Sequence, residues 1–362
     1  YALKRDSDVS KMVSNLGLDS ESFKDHVVFE GHEIYTANGK PYSVFSPFRN
    51  NWIKKIDNKK FNLKNLKYQN NKGHVETNVI NPKDFGFSNM DLKKNNIFPG
   101  SVGGESELKK FLSVINNYSD YRDFPDFSAN SRLSVHLRFG TLSIRDLVNK
   151  CLEINTISAN KWLNELVWRD FYSSILFNYP HVEKLEFNKK YQNLKWNKND
   201  FFFNAWCNGE TGYPIVDAAI TELNLTGFMH NRCRMIVASF LTKHLLCDWR
   251  LGEAYFAKKL IDFDLASNNG GWQWAASTGC DSQPYFRVFN PSLQSEKFDK
   301  LGKYIKKYLP IFKSVDPKYL HSPWQHSDKL EIHGIKLGKN YPLPIVNHQK
   351  ARAKAIDFFK KV

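Results

Sequence analysis

Residues 268–274 read NNGGWQW, a stretch with three side-chain amides, two glycines and two tryptophans in seven consecutive positions. Glycine inside a helix costs roughly 1 kcal/mol relative to alanine, so a helix built only for packing would avoid the Gly270–Gly271 pair. A flexible linker, in turn, would not carry two indole rings. The stretch therefore indicates backbone that closely approaches a flat, polar group, with aromatic rings nearby.

The composition is that of a folded, basic protein. The chain has 362 residues, long enough for two domains, and 41% of them are hydrophobic, enough for a sizeable core. The formal net charge is +15, which suits a polyanion such as DNA. Much of the lysine lies in runs such as FNLKNLKYQNNK (61–72). Charge alone therefore leaves open whether the chain binds nucleic acid or has a biased composition.

Cysteine usage and hydropathy suggest a compartment. The 5 cysteines are odd in number and form no CxxC pair, so neither a disulfide framework nor a zinc site is predicted. No signal peptide is visible, and no apolar run reaches the roughly 18 residues that a membrane span needs. We expect a cytoplasmic protein without metal or membrane association. The sequence begins with Tyr1 in the middle of a pattern, so we expect the start of a longer protein to be missing.

The first 103 residues have a mixed texture. Within residues 1–40, VSKMVSNLGL looks helical, and VVFE and EIYT are short strand candidates. Residues 41–103 form a connector rich in Pro, Gly, Asn and Lys, in which SPFRNNWIKKI favours one short helix. From residue 104 to 362, apolar residues recur near a 3.6-residue period, which predicts an all-helical domain. The predicted fold class is mainly α.

The segment KWLNELVWRDFY, residues 161–172, carries an unusual helical face. Its mixed polar and aromatic side chains lie at helical spacing: Trp162, Glu165, Trp168, Arg169 and Tyr172. Such a face fits a binding surface. It also fits an ordinary amphipathic helix with an i,i+4 Glu–Arg pair, and the pattern alone does not decide.

The segment GFMHNRCRMIVASF brings Asn231, Arg234 and Met235 to one helical face, with Arg232 about a quarter-turn away. A buried arginine needs a carboxylate partner, and Asp262 or Asp264 in IDFDLAS can supply it. The alternative is a solvent-exposed basic helix start.

A third segment, RDFPDFSANSRLSVHLRFG, offers an amide, hydroxyls and backbone N–H groups ahead of a helical stretch. The residues concerned are Asn130, Ser131, Arg132, Leu133 and Ser134. Such groups can hold phosphates at a helix start. A serine cap on an ordinary helix is the alternative.

The order of these segments closely resembles the photolyase/cryptochrome family. The resemblance rests on SRLS, WLNELVWRDFY, GYPIVDAA, MHNRCRMI, CDWRLGE, DLASNNGGWQWAASTG and PYFRVFNP, and it runs almost end to end. Within the family, the chain looks most like the class I cyclobutane pyrimidine dimer photolyases. The resemblance implies that residues 104–362 form an FAD-binding catalytic domain. It also implies that residues 1–40 are the remnant of an α/β, Rossmann-like antenna domain.

The family's chemistry is light-driven repair of pyrimidine dimers in DNA. The excited, reduced flavin donates an electron to the dimer, which splits and returns it, while the protein supplies position and electrostatics. The dimer leaves the duplex by base flipping. The implied partner is DNA that contains pyrimidine dimers, and we expect a monomer without an obligate protein partner.

The resemblance also implies a set of cofactor contacts. Asn268 would lie beside flavin N5, and Gly270 and Gly271 would allow close packing near the ring system. Arg234 would pair with Asp262. The positions that match FAD contacts are Tyr118, Asn130, Ser131, Arg132, Leu133, Ser134, Trp162, Glu165, Arg169, Asn231, Arg234, Asp262, Asp264 and Asn268.

A second implied set binds the lesion and carries electrons. Glu165 would hydrogen-bond the thymine edges, and Trp168 and Trp274 would clamp the flipped dimer. The positions that match lesion or DNA contacts are Arg122, Glu165, Trp168, Asn231, Arg232, Met235, Trp274 and Gln294. Trp196, Trp249 and Trp272 match the family's electron-transfer triad. The residues predicted to take part in catalysis are therefore Glu165, Asn268 and these three tryptophans.

Departures from the family pattern leave some questions open. Asn130 stands where the family usually has Thr, and Ser267 replaces a common Ala. A second antenna chromophore, folate or deazaflavin, stays undecided. One alternative is a cryptochrome, a blue-light receptor without repair activity. A (6-4) photolyase would need a histidine pair that His230 alone does not make, and a basic DNA-binding protein would carry no chromophore.

Overall fold

The computed structural model describes residues 2–56, 81–86 and 97–362. Regular structure in these ranges is helical, and β-pairing is confined to isolated bridges, which confirms a mainly α fold. The lysine- and asparagine-rich run at 61–72, and with it much of the predicted connector, lies outside the described residues. In the same ranges no helix combines the length and apolar character that crossing a membrane requires.

The α-helices are numbered in chain order. They are α1 (Ala2–Asn15), α2 (Phe45–Ile56), α3 (Gly100–Val114), α4 (Tyr118–Tyr121), α5 (Ser134–Arg138), α6 (Ile144–Ile154), α7 (Ile157–Asn178), α8 (Asp200–Asn208), α9 (Pro214–Thr226), α10 (Asn231–Ser239), α11 (Trp249–Lys259), α12 (Leu265–Ala276), α13 (Pro291–Phe298), α14 (Lys303–Tyr308), α15 (Pro317–Leu320), α16 (Ser327–Glu331) and α17 (His348–Lys360).

Shorter helical turns connect these helices. The 3₁₀ turns are Pro82–Phe85, Ile115–Asn117, Pro180–Glu183, Lys189–Tyr191, Pro310–Phe312 and Pro323–Gln325, and the helix α10 continues into a π-helical turn, Phe240–His244. The isolated bridges join Tyr35 to Pro41, Asn197 to Cys247 and Leu337 to Tyr341.

The two strand predictions in residues 1–40 are wrong. The backbone N–H groups of Val28 and Phe29 donate to the carboxylate of Asp170 in α7, at 3.2 and 3.1 Å, so no neighbouring strand is needed to pair them. Asp170 also accepts the indole N–H of Trp52 at 2.9 Å. A buried helix carboxylate thus satisfies backbone that the sequence pattern assigned to a sheet. The predicted short helix in the connector is confirmed as α2.

Two hydrophobic cores meet at one seam. One core consists of buried residues in the sequence range 206–341, and the other consists mainly of buried residues in the range 28–175. Trp168 of α7 packs on the edge of the second core. Met235 of α10 and Trp274 of α12 pack on the edge of the first. The helices α7, α10 and α12 therefore bring side chains of both cores to a shared boundary.

Side-chain caps set where the seam helices begin. Thr156 accepts from the N–H of Ala159 at the start of α7. The Nδ1 atom of His230 accepts from Arg232 at the start of α10. Such caps satisfy amide groups that have no partner within the helix, and they fix the register in which each helix presents its side chains.

Candidate functional site

The NNGGWQW stretch lies within α12, and its two glycines have different surroundings. A Cβ atom on Gly270 would lie 2.1 Å from the ring of Tyr172 in α7, so glycine is needed here for helix packing. A Cβ atom on Gly271 would meet nothing within 4 Å. Of the two glycines predicted to admit a flavin, Gly270 thus admits a tyrosine ring, and only Gly271 faces open space.

The two inner polar residues of the stretch hold a loop. The amides of Asn269 and Gln273 both donate to the carbonyl of Val182 at 2.9 Å, and Gln273 also accepts from the N–H of Phe187 at 2.9 Å. Both side chains are buried. The loop 182–187 is therefore attached to α12, a role for these amides that the sequence pattern did not reveal.

Asn268, predicted to lie at flavin N5, is anchored through its amide nitrogen. The Nδ2 atom donates to the Glu253 carboxylate at 2.8 Å and to the Glu253 carbonyl at 3.1 Å. Burial raises the pKa of Glu253 above its ordinary value, and the hydrogen bond from Asn268 opposes this effect. This anchoring fixes the amide orientation and leaves its oxygen to face other groups.

Arg234 pairs with Asp262, as the resemblance implies. Its guanidinium lies 2.8 Å from Oδ2 of Asp262 and also donates to the Met229 carbonyl at 2.8 Å. The other carboxylate oxygen of Asp262, Oδ1, is buried and has no hydrogen-bond partner among the described residues. A buried acceptor without a partner is costly, so this oxygen is a fitting acceptor for a ligand hydroxyl.

Asp264 caps α12. Its Oδ1 accepts from the N–H of Ser267 at 2.9 Å, and its Oδ2 lies 3.4 Å from Nε2 of His26. Burial raises the pKa of Asp264, but hydrogen bonds from His26 and Ser267 outweigh it, so the pKa lies below its ordinary value. Arg169 donates to the carbonyls of His26 and Leu137. Glu165 and Arg169 therefore do not form the simple i,i+4 pair of an amphipathic helix.

Asn130 contacts His230 in the third segment. The Asn130 amide lies 2.7 Å from Nε2 of His230, whose Nδ1 already accepts from the Arg232 backbone. Burial lowers the pKa of His230 to about 4, so the ring is neutral and Nε2 carries its proton. Asn130 Nδ2 and His230 Nε2 would then both be donors, so the amide must turn its oxygen to His230 and its NH₂ group away from the ring.

The rest of that segment is short and partly buried. Arg132 has a positive φ of 52°, and its guanidinium lies 4.7 Å from the centre of the Phe228 ring. Leu133 is completely buried, so only its backbone can contact a ligand. Ser131 accepts a long hydrogen bond of 3.4 Å from Leu133, and the exposed Ser134 begins the five-residue helix α5.

Two ion pairs lie side by side at the seam. Arg122 contacts Glu165 at 2.6 Å, and Arg232 contacts Asp123 at 3.0 Å. The Glu165 side chain is 32% exposed, which leaves it reachable from solvent. Sequence reasoning missed Asp123, although its place directly after Arg122 was the available signal. The Nε atom of Arg232 is buried and has no partner among the described residues.

Aromatic rings surround these charges. The Trp168 indole stacks on the Phe45 ring, with centroids 3.6 Å apart and an interplanar angle of 4°. Trp162 is buried and lies 4.7 Å from Phe111. Burial raises the pKa of Tyr118, which Arg122 approaches to 5.2 Å. Trp162 and Tyr118 therefore belong to the second core, on which the Arg122–Glu165 pair lies.

The remaining lesion candidates lie across the seam. Asn231 is exposed, and its amide lies 4.0 Å from the Met235 sulfur. Gln294 of α13 has a buried side-chain oxygen without a partner among the described residues. Trp274 is half-buried. Each of these side chains therefore has a polar group or an exposed surface with which it can contact a ligand.

Trp196 and Trp249 are brought together by a β-bridge. The N–H of Asn197 donates to the Leu246 carbonyl at 2.8 Å, beside the bridge from Asn197 to Cys247. Trp196 is half-buried, and Trp249, two residues past the bridge, has no exposed surface. The bridge therefore links a tryptophan near the surface to one in the core.

Trp272 lies against the helix that carries Trp249. A Cβ atom on Gly252 of α11 would be 2.1 Å from the Trp272 ring, so the indole sits directly on that helix, one turn beyond Trp249. Trp272 is 2% exposed and lies one turn after Asn268 on α12. The three indoles thus range from the half-buried Trp196 to the buried Trp249 and Trp272, and the last of these shares α12 with Asn268.

The arrangement fits a flavin nucleotide. Oδ1 of Asp262 and the NH₂ group of Asn130 can each take a hydrogen bond from or to a ligand, and Gly271 leaves open space beside α12. These are the polar groups and the bare backbone that a large planar, charged cofactor needs.

Comparison with known proteins agrees with this geometry. A family model described as the FAD binding domain of DNA photolyase matches residues 162–361, and one described as DNA photolyase matches residues 1–65. A deoxyribodipyrimidine photo-lyase of Alkalihalophilus pseudofirmus is 39% identical over 98% of this chain and 75% of the relative.

Solved structures lead to the same family. A bacterial class III photolyase from Agrobacterium tumefaciens superposes with a TM-score of 0.88 at 35% identity, covering 99% of this chain and 77% of the other. A Synechocystis cryptochrome gives a TM-score of 0.82 at 27% identity, covering 98% and 76%. The class I assignment within the family stays a prediction. The chain belongs to the photolyase/cryptochrome family and contains its FAD-binding domain.

Proposed function

We propose that this chain repairs cyclobutane pyrimidine dimers in DNA by light-driven electron transfer from reduced FAD. The observation that carries the proposal is the Arg122–Glu165 pair, a reachable carboxylate between aromatic and cationic side chains at the seam of two cores. A flipped dimer presents imide N–H and carbonyl groups, which a carboxylate and a guanidinium match.

FAD would be held from both sides of the seam. Asp262 and Arg234 would bind one end, and the Asn130 NH₂ group with Ser131 and Ser134 would hold the phosphates. The chemistry that bound, reduced FAD supplies is the light-driven transfer of one electron to the dimer and its return. Asn268, anchored on Glu253, would present its amide oxygen to the flavin ring.

The dimer would be clamped between indoles from different cores. Trp168 is fixed by Phe45 and packs on the second core, whereas Trp274 packs on the first. Glu165 would accept a hydrogen bond from an imide N–H of the dimer, and the Arg122 guanidinium beside it would face the negative charge that the dimer gains. The guanidinium of Arg232, with an unused Nε–H, would contact a flanking phosphate, in keeping with the net charge of +15.

Trp196, Trp249 and Trp272 would keep the cofactor reduced. An indole is readily oxidised, so an electron can pass inward along the three rings to the cofactor while the oxidised site moves toward the half-buried Trp196. Electron transfer over the whole distance in one step would be slower than hopping between neighbouring rings.

A cryptochrome-type photoreceptor is the second candidate, because the relay and the cofactor site would serve it equally well. The feature that favours repair is Glu165, since a receptor needs no carboxylate for a dimer.

We expect Glu165→Ala to bind FAD and undergo photoreduction normally, but to repair a dimer-containing oligonucleotide at least about tenfold more slowly, equivalent to ~1.4 kcal/mol. The measurement is dimer loss per absorbed photon. An unmodified chain that holds reduced FAD and leaves the dimer intact under light would support the photoreceptor.

A further inference from the structure

The three relay tryptophans differ in what their indole N–H groups contact. The Nε1 atoms of Trp196 and Trp272 are buried and have no hydrogen-bond partner among the described residues. The Nε1–H of Trp249 donates to Oε1 of Glu186 at 3.3 Å. The middle indole therefore has an anionic hydrogen-bond partner, and the N–H groups of the other two have no hydrogen-bond partner in the part of the chain that the structure describes.

Glu186 is buried and forms part of a charged cluster. Its side chain is 2% exposed, and its Oε2 lies 2.7 Å from Arg250. Arg250 also pairs with Asp248 at 3.0 Å, so two carboxylates share one guanidinium and the cluster carries a net negative charge. The Arg250 guanidinium lies 4.8 Å from the Trp249 ring centre, where it opposes positive charge on the indole. The hydrogen-bonded carboxylate acts at shorter range.

The position of Glu186 is set by the helix that carries Trp272. Gln273 bonds the backbone on both sides of Glu186, accepting from Phe187 at 2.9 Å and donating to the Leu185 carbonyl at 3.2 Å. Asn269 holds the same loop at Val182. The NNGGWQW stretch thereby holds two groups in place. It carries the Trp272 indole, and it positions the Glu186 carboxylate that contacts Trp249.

We propose that Glu186 is a positioning and tuning residue that stabilises the oxidised, cationic form of Trp249. The inference rests on the proposed relay. In the step concerned, one electron leaves the Trp249 indole and fills the vacancy on oxidised Trp272, which becomes neutral. The Nε1 proton stays on Trp249, and its hydrogen bond to Glu186 strengthens because the donor is now positively charged.

The effect is selective for the oxidised state. A buried carboxylate interacts weakly with a neutral indole and strongly with a cation, because water screens little at this depth. Only such a difference between two states can shift an equilibrium between them. Glu186 therefore draws the oxidised site outward from Trp272, which slows its recombination with the reduced cofactor.

The test uses the holoenzyme with Trp196→Phe, which stops the oxidised site at Trp249. In this background Glu186 is compared with Glu186→Gln, which keeps an acceptor of the same shape without charge, and with Glu186→Asp, which keeps the charge. After a light flash, transient absorption measures the lifetime of the Trp249 radical cation. We expect Glu186→Gln to shorten it by about tenfold or more, and Glu186→Asp to restore part of the loss.

Equal lifetimes for the glutamate and glutamine forms would overturn the proposal, as would a neutral tryptophan radical in the form that retains Glu186. Trp249→Phe separates this failure from failure of the relay. If long-lived tryptophan radicals persist without Trp249, the relay assignment itself is wrong. In the dark, the proton resonance of the Trp249 indole N–H reports the hydrogen bond directly. An unchanged chemical shift of this resonance in Glu186→Leu would also contradict the contact.

Discussion

Two regions of the molecule differ in how their functional side chains are held. One is the relay side, around Trp196, Trp249 and Trp272, and the other is the seam between the two cores. Trp249 and Trp272 are almost fully buried, and backbone contacts and helix packing fix both. At the seam, Arg122 and Glu165 pair with each other, while the buried Nε of Arg232 and Oδ1 of Asp262 have no partner among the described residues. The relay side also holds buried N–H groups without a described partner, on Trp196 and Trp272, but these belong to neutral indoles, whereas the seam presents charged groups that a ligand can pair.

The difference follows from what each region must do. Electron transfer between indoles needs fixed distances, and close packing supplies them without further partners. A binding site must keep polar groups unsatisfied until the ligand arrives, which costs stability in its absence. We therefore expect changes on the relay side to affect photoreduction alone, and changes at the seam to affect binding of FAD or DNA.

The largest expected effect comes from breaking the relay. Trp249→Phe removes the middle indole and should lower the rate of flavin photoreduction by about 100-fold, equivalent to ~2.7 kcal/mol of activation free energy. Repair by chemically reduced enzyme should persist, because the seam is unchanged. Flash photolysis and dimer repair are measured on the same preparation.

Trp206→Phe is the matched control for that experiment. Trp206 is as buried as Trp249, and its ring centre lies 5.9 Å from that of Trp272, but its N–H donates to the Val237 carbonyl within the core. Its loss should leave photoreduction within about twofold of the parent, less than 0.5 kcal/mol. An equal loss in both variants would mean that electrons do not follow the proposed order of indoles.

The second effect, on the seam, concerns the cofactor. Asp262→Asn keeps the size of the side chain but removes the charge that faces Arg234, 2.8 Å away. We expect FAD to bind about 30-fold more weakly, or ~2 kcal/mol, as measured by fluorescence of released flavin. Asp170→Asn also alters a buried carboxylate, but one whose partners are Val28, Phe29 and Trp52, so it should lower the unfolding temperature without a matching loss of FAD. Parallel losses in the two variants would remove the argument for a specific contact.

The contrast also explains what the sequence could and could not predict. Helical periodicity predicted α7, α10 and α11 but not α12, because its Gly–Gly pair argued against a helix built only for packing. The need of a buried Arg234 for a carboxylate left a choice between Asp262 and Asp264. The strand VVFE failed because Asp170, distant in sequence, takes the place of a strand partner, whereas in EIYT only Tyr35 makes an isolated bridge, to Pro41. Glu186 carried no local signal, since its role depends on Gln273 and Trp249, which only the fold brings near it.

The glycine pair tests the boundary between the two regions. Gly270→Ala should destabilise the fold by roughly 1–3 kcal/mol, because its Cβ would lie 2.1 Å from the Tyr172 ring. Gly271→Ala meets nothing within 4 Å and should raise stability by up to about 1 kcal/mol, because alanine favours the helix. Thermal unfolding of the FAD-free forms gives both values. If a flavin packs on Gly271, this stabilised variant should nonetheless bind FAD more weakly, and unchanged affinity would move the flavin elsewhere.

The smallest effect is the acid sensitivity of the relay side, and His230 at the seam, whose pKa burial lowers to about 4, adds a loss of its own over the same pH range. His244 lies 2.9 Å from His348, a contact that holds α17, whose Phe358 and Phe359 rings pack against Trp196. Burial, and next the neighbouring His348, lower the pKa of His244 to about 3. The unfolded chain takes up this proton near its ordinary pKa of about 6.5, so stability present at neutral pH is lost as the pH falls.

At about pH 5.5 the loss should be roughly 1 kcal/mol, and amide exchange in α17 should rise before exchange in α7. His244→Gln, which keeps a hydrogen-bonding group and removes the titration, should remove the His244 part of this dependence and leave the part that comes from His230. Because α17 covers the outer indole, Trp196 should become more accessible to a fluorescence quencher over the same pH range, while FAD remains bound. If the quencher reached Trp196 over the same pH range in His244→Gln, the contact between His244 and His348 would not be what holds α17 in place.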